Sequence, residues 1–155
     1  LTHFEERGLS VQGFLTPEVR EKGRRVGFDV KDIQEGISVP LARKGNRGAE
    51  KKLGRYGVFV KRFEKYVEDH INVNSLKGAD LVVVDEIGKM ELFSRRFREM
   101  IVKVFEIDVP IIATIGKSLR HPVKDRILGR PEVVVHHLTR QNQEETFKKI
   151  VSSLF

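Results

Sequence analysis

The 155-residue chain contains no cysteine, no tryptophan, two methionines and five prolines. Without cysteine there is no disulfide, no thiolate metal site and no thiol nucleophile. That composition suits a reducing compartment, and a cytoplasmic location is expected. No apolar run approaches the ~20 residues of a membrane-spanning helix, and the first residues do not read as a signal peptide. No membrane partner is therefore expected. Tryptophan is absent and the phenylalanines fall mostly on core-like faces, so the chain is short of aromatics that stack on single-stranded bases. It also lacks any complete G-x-x-x-x-G-K-[ST] loop, the segment whose amides cradle a triphosphate.

What is present is an ordinary globular balance, 39% hydrophobic and 33% charged, at a length that suits one domain over residues 1–155. The formal net charge is +7. Such an excess favours polyanions, so nucleotides and nucleic acid both fit as partners. None of the histidine spacings suits a transition-metal site.

Apolar periodicity sets out the elements. "LTHFEER" reads as the last turns of a helix stopped by Gly8. "LSVQGFLT" reads as a buried strand ending near Thr16. "RRVGFDVKD" and "GISVPLAR" read as a hairpin joined by "DIQEG". "RKGNRGAEKKLGR" reads as an exposed, mobile loop, and "YGVFV" as a short strand. "KRFEKYVEDHI" places Phe63, Tyr66, Val67, His70 and Ile71 at helical spacing. "ADLVVVDE" is a continuous apolar run, as in a central parallel strand. "ELFSRRFREMIVKVFEI" predicts one helix, "VPIIATI" the next buried strand, "HPVKDRIL" a short helix and "PEVVVHHL" another strand. "TRQNQEETFKKIVSSLF" predicts a last helix with Thr139 as N-cap and Phe147, Ile150, Val151 and Leu154 on its core face. The alternation predicts an α/β fold, with a mainly parallel sheet, helices on both faces and the antiparallel hairpin added at one side. Ligands of such sheets bind beyond the carboxyl ends of the strands, where Thr16, Asp85, Glu86 and Thr114 all fall.

"LVVVDEIGK" has the form of a Walker B segment. A strand-end Asp85 can hold Mg²⁺ through water, and Glu86, pointing elsewhere because strand side chains alternate, can orient or deprotonate a water. Gly88 allows a sharp turn and a close backbone approach. Thr114 can contact a γ-phosphate or the attacking water. Lys89, Arg20 and Arg55 are candidates for stabilising transition-state charge. An apolar strand with a solvated acidic loop accounts for the same residues without chemistry, and both readings stay open at this point.

"IIATIGKS" carries Gly116, Lys117 and Ser118, the tail of a phosphate loop. The pattern requires glycine where Ile111 stands, and Ile111 and Ile112 read as core strand, so the match is rejected. If "LTHFEER" ends a helix, the strand and phosphate loop that should open it are expected in roughly 20–25 residues upstream of Leu1.

Three separated segments, "GFLTPEVREKGRRVGFDV", "GRYGV" and "DEIGKMELFSRRFREMI", together resemble the THEP-type, or cancer-related, nucleoside-triphosphatases, in order and from about Leu9 onward. The resemblance implies a RecA-like P-loop fold and Mg²⁺-dependent hydrolysis of ATP, GTP and other nucleoside triphosphates. It implies that Asp85 is the Walker B aspartate and Glu86 the water-activating acid. It also implies that Leu81, Val82, Val83, Val84, Asp85, Glu86, Ile87 and Gly88 form a nucleotide-binding stretch. Family members begin with a strand and a G-x-x-G-x-G-K-T-type loop that this sequence lacks, so impaired hydrolysis by these residues alone is expected. The alternatives are a nucleic-acid-binding module using the positive charge, or an inactive interaction domain of the same fold. The preferred nucleotide and oligomeric state are not legible.

Overall fold

The computed structural model describes residues 1–45 and 48–154. The contacts divide the chain into two compact units, Leu1–Arg120 and His121–Phe155, each described by itself.

The first unit opens with a short helix α1 (Thr2–Glu5), and Gly8 follows at φ +73°, as expected of a glycine that stops a helix. The strands then run β1 (Val11–Leu15), β2 (Glu18–Glu21), β3 (Arg24–Asp32), β4 (Ser38–Lys44), β5 (Lys51–Leu53) and β6 (Tyr56–Val58). Helices α2 (Val60–His70) and α3 (Val73–Leu76) lead to β7 (Leu81–Ile87). A 3₁₀ turn at Glu91–Phe93, helix α4 (Arg95–Val104) and strand β8 (Ile111–Ile115) complete the unit.

All eight strands form one sheet, in the order β5-β6-β4-β3-β1-β7-β8, with β2 paired to β3 alongside. Among the described residues only the β1–β7 and β7–β8 ladders are parallel; the other ladders are antiparallel. The sheet is thus mixed, not mainly parallel. Short connections between residues 18 and 58 permit only antiparallel pairing, whereas α3 and α4 provide the longer crossovers that parallel strands require. The apolar run Leu81–Val84 lies between β1 and β8, as its continuous pattern predicts.

Gly13 makes the β1–β7 contact possible. It has φ +126°, and a Cβ there would lie 1.8 Å from the Val83 carbonyl oxygen. The core joins three elements through aromatic rings. Phe97 meets Phe14 edge-on at 5.8 Å and Phe63 at 5.4 Å, and all three are buried. Tyr66 of α2 accepts from the Asp32 amide at 2.6 Å, while Asp32 accepts from the amides of Glu35 and Ile37. This network pins the β3–β4 turn to the helix, and burial, reinforced by the Asp32 charge, raises the Tyr66 pKa.

Several expectations are corrected. The single helix from Glu91 is broken at Ser94, whose hydroxyl accepts from the Phe97 amide and so starts α4 as its N-cap. The basic loop contains β5, because Lys51–Leu53 finds β6 as a ladder partner; Asn46 and Arg47 lie outside the described residues. Strand β8 is not buried: its residues are half-exposed and Thr114 is exposed, because only β7 pairs with it.

The second unit holds α5 (Pro122–Leu128), capped by His121 Nδ1 accepting from the Val123 amide, and α6 (Gln143–Leu154). The strand expected over "PEVVVHHL" is absent. No ladder partner exists for it among the described residues, and Val134 is 75% exposed. Helix α6 starts at Gln143, not after Thr139, which instead forms a reciprocal turn with Asn142. Phe147 is exposed, and Thr146 is the buried residue of the helix. Among the described residues no helix is long and apolar enough to cross a membrane.

Candidate active site

The parallel strands β1, β7 and β8 bring three polar residues together at their carboxyl ends. Leu15 pairs with Asp85 in register, so Thr16 follows directly beside it. The Thr16 amide and hydroxyl both donate to the Asp85 carbonyl, at 2.6 and 2.9 Å. From the other side the Thr114 hydroxyl donates to Asp85 Oδ1 at 2.6 Å. A bond of that length to an ionised acceptor belongs to the strong, charge-assisted class. It holds the exposed carboxylate in one orientation.

Beside Asp85 the ladder to β8 becomes irregular between Val84 and Ile87. Glu86 there lines a cavity of about 380 Å³ together with Thr16, Gly88, Lys89, Glu91 and Lys117. Asp85 does not line it. The two acids are consecutive exposed residues, so burial does not alternate between them as the regular strand pattern predicts. Partial burial, then the Asp85 charge, pushes the Glu86 carboxyl above its ordinary range.

Glu91 was not foreseen as a site residue. It is 3% exposed, and its Oε2 accepts from the Gly88 amide at 3.1 Å. Burial is the main cause of a pKa pushed up to about 8, with the Glu86 charge adding to it. A Cβ at Gly88 would lie 2.8 Å from Glu91 Oε2 and 3.0 Å from Glu86 Oε1. Both carboxyl groups therefore close on the glycine, and a side chain there would displace at least the Glu91 carboxyl. The three-residue spacing from Gly88 to Glu91 was the available signal.

The remaining candidates divide. Lys89 lines this cavity and also a larger one of about 840 Å³. Arg20 and Arg55 line only the larger one, and Arg20 is paired with Glu18 at 2.8 Å. Of the nucleotide-binding stretch, Leu81, Val82 and Val84 are core residues, Val83 is half-buried, and Ile87 and Gly88 are buried. Asp85 and Glu86 are its exposed residues. Gly116, Lys117 and Ser118 line the acid cavity although Ile111–Ile115 is strand, as the rejection of a phosphate loop there required.

The oxygen-only donor set at the strand ends, one carboxylate and two hydroxyls, suits a hard cation that keeps most of its water, as Mg²⁺ does. Among the described residues no group of three or more His, Cys, Asp or Glu side chains forms a metal cage. Asp85 is the residue that would hold the ion.

The family model for NTPases matches residues 1–151. The chain belongs to this nucleoside-triphosphatase family. It is 39% identical over 148 residues to the nucleoside-triphosphatase THEP1 of Methanopyrus kandleri, covering 95% of this chain and 80% of that protein. It is 42% identical over 145 residues to the Thermotoga petrophila THEP1, covering 90% and 75%. Two solved structures share the fold at 31% identity. The crystal structure of Aquifex aeolicus THEP1 has a TM-score of 0.77, with 99% of this chain and 88% of that one covered. The solution structure of a human cancer-related nucleoside triphosphatase has a TM-score of 0.75, with 99% and 86% covered. The α/β fold that the alternation of strands and helices predicts is the fold of these family members.

Proposed function

We propose that this family member hydrolyses nucleoside triphosphates, ATP and GTP among them, to the diphosphate and phosphate, at the carboxyl ends of β1, β7 and β8. The observation that carries the reading is the convergence of Thr16, Asp85 and Thr114 on three neighbouring parallel strand ends, with Glu86 in the adjoining cavity. Asp85 would hold Mg²⁺, mostly through water, and the ion would supply charge neutralisation to the phosphates. Thr114 fixes the Asp85 carboxylate and stands where it can also meet the γ-phosphate. Glu86 orients the attacking water and takes its proton. The water oxygen bonds to the γ-phosphorus, the bond to the bridging oxygen breaks, and the nucleoside diphosphate leaves. Lys89, which lines the same cavity, offsets charge that develops on the phosphoryl oxygens. Residues Leu81 to Gly88 form the strand and turn that present these groups to the nucleotide, and Arg20 approaches from the β2 side. Residues 1–155 act in this reading as one P-loop-type domain.

These 155 residues turn over slowly by themselves, because no G-x-x-x-x-G-K-[ST] loop occurs in the sequence and such a loop contributes much of the transition-state stabilisation. The test is phosphate release from ATP and GTP with and without Mg²⁺, alongside binding of a fluorescent triphosphate. Slow, Mg²⁺-dependent release that a Glu86→Gln exchange lowers by roughly 10²-fold, with binding retained, is expected. Release that survives chelation of Mg²⁺, or that Glu86→Gln leaves unchanged, overturns the assignment.

A further inference from the structure

Next to the acid cavity lies the larger one, of about 840 Å³, walled by β2, β3, β4 and the β5–β6 turn. Six of its eleven lining residues are Arg or Lys and none is acidic. Arg20 and Arg25 are offset by Glu18. Arg24, Lys44, Arg55 and Lys89 have no ion pair or side-chain hydrogen bond among the described residues. Four unpaired cations facing one cleft repel one another, and an anion between them removes that cost. Arg25 adds a second feature. Its guanidinium lies 5.1 Å from the Phe28 ring centroid and 5.7 Å from that of Tyr56, and its Nε donates to the Tyr56 hydroxyl at 2.9 Å. The held guanidinium plane has an outer face, and planar bases stack on such faces.

We infer that this basic cleft is a second ligand site, which takes a nucleoside mono- or diphosphate distinct from the triphosphate at Asp85. The phosphate sits among Arg24, Lys44 and Arg55, and the base lies against Arg25, with Leu53 and Met90 as apolar floor. The volume falls in the usual range for small-ligand sites. A running nucleic-acid strand fits less well. Beyond Lys89 the adjoining cavity carries Glu86 beside one further lysine, Lys117, so the dense basic lining does not continue as a track for a phosphodiester backbone. The two cavities share Phe28, Leu53, Lys89 and Met90, whereas Arg24, Lys44 and Arg55 line only the basic cleft, so its phosphate site is separate from the acid cavity.

The test is calorimetric titration of the chain with adenosine 5′-monophosphate, with adenosine, and with a single-stranded oligothymidylate. The monophosphate titration is repeated in saturating non-hydrolysable triphosphate and Mg²⁺. The monophosphate is expected to bind in both conditions and adenosine not to bind. In an Arg24→Glu/Lys44→Glu variant the monophosphate dissociation constant rises at least about tenfold, the effect of losing charge-assisted bonds, while phosphate release from ATP persists. Should the reversal lower the melting temperature, Arg24→Gln and Lys44→Gln singly replace it, with a smaller rise expected in each. Displacement of the monophosphate by the triphosphate, or unchanged affinity in the variants, overturns the inference. So does oligothymidylate binding tighter than the monophosphate through these same residues. Loss of ATP hydrolysis in Glu86→Gln with monophosphate binding intact separates the two sites; absence of any hydrolysis in the unaltered chain sinks the acid-site reading alone.

Discussion

The Thr114 hydroxyl reaches across from β8 to donate to Asp85 Oδ1 at 2.6 Å. The two residues lie on neighbouring parallel strands, so the bond fixes the carboxylate against the sheet itself and not against a mobile loop. Thr114→Val keeps the branched shape and removes the donor. A hydrogen bond to a charged group contributes on the order of 1.5–3 kcal/mol, so the Mg²⁺ concentration for half-maximal activity should rise by roughly tenfold or more. The folded state should be nearly unchanged, since the residue is exposed. A Mg²⁺ titration of activity in the variant decides; an unshifted midpoint removes Thr114 from the metal site.

Asp85 and Glu86 separate in the same way. Asp85 meets Thr114 while Glu86 lines the cavity. Asp85→Asn should weaken the Mg²⁺ dependence and nucleotide affinity together. Glu86→Gln should leave affinity near the unaltered value and lower kcat by roughly 10²-fold. Equal effects of both changes on kcat and affinity would mean that the two acids share one role.

Gly13 ties the site to the fold. A Cβ at this position meets the backbone oxygen of Val83 at 1.8 Å, and backbone in a sheet cannot give way as a flexible side chain does. The φ of +126° adds strain for any L side chain. Gly13→Ala should destabilise by several kcal/mol, on the order of 4, placing it among the large single-residue effects. Chemical denaturation measures this directly. A loss under ~1 kcal/mol would show that β1 and β7 part easily.

How much of this was legible follows from which interactions define each element. The run Leu81–Val84 has apolar residues at every position, which identifies a covered strand whatever its neighbours. The α2 and α4 faces, with Phe63, Tyr66, Val67, Phe97, Met100 and Ile101, follow from helical spacing alone, and all are buried. Elements defined by a partner were misread. Val133, Val134 and Val135 have strand propensity but no ladder partner among the described residues. Glu18–Glu21, with one apolar side chain, is a strand because β3 pairs with it. The acid pair showed in the pattern; the buried Glu91 did not, because a glutamate before "LF" reads as the solvated face of a helix. Only the return of its carboxyl to the Gly88 amide withdraws it from water.

Glu91 gives a test through pH. Its carboxyl is buried, and its pKa is pushed from 4.5 up to about 8. Between those values the folded chain keeps the proton and the unfolded chain has released it. The unfolded state then binds fewer protons, so stability falls as pH rises through this window, and above about 8 no further loss comes from this group. The full effect is bounded at roughly a few kcal/mol, since each pKa unit corresponds to about 1.4 kcal/mol. Glu91→Gln keeps an oxygen for the Gly88 amide and has no charge to lose. Urea unfolding from pH 5 to 9 should show the unaltered chain losing stability steadily relative to the variant, with the difference levelling off near pH 8. Nucleotide hydrolysis reads the second consequence. If the neutral carboxyl holds the Gly88 turn in place, Glu91→Gln retains activity at pH 9, where Glu91 of the unaltered chain is mostly ionised and Glu86 faces a second negative charge. Parallel stability profiles for the two proteins would show that Glu91 is ionised throughout, with its charge compensated by the Gly88 amide.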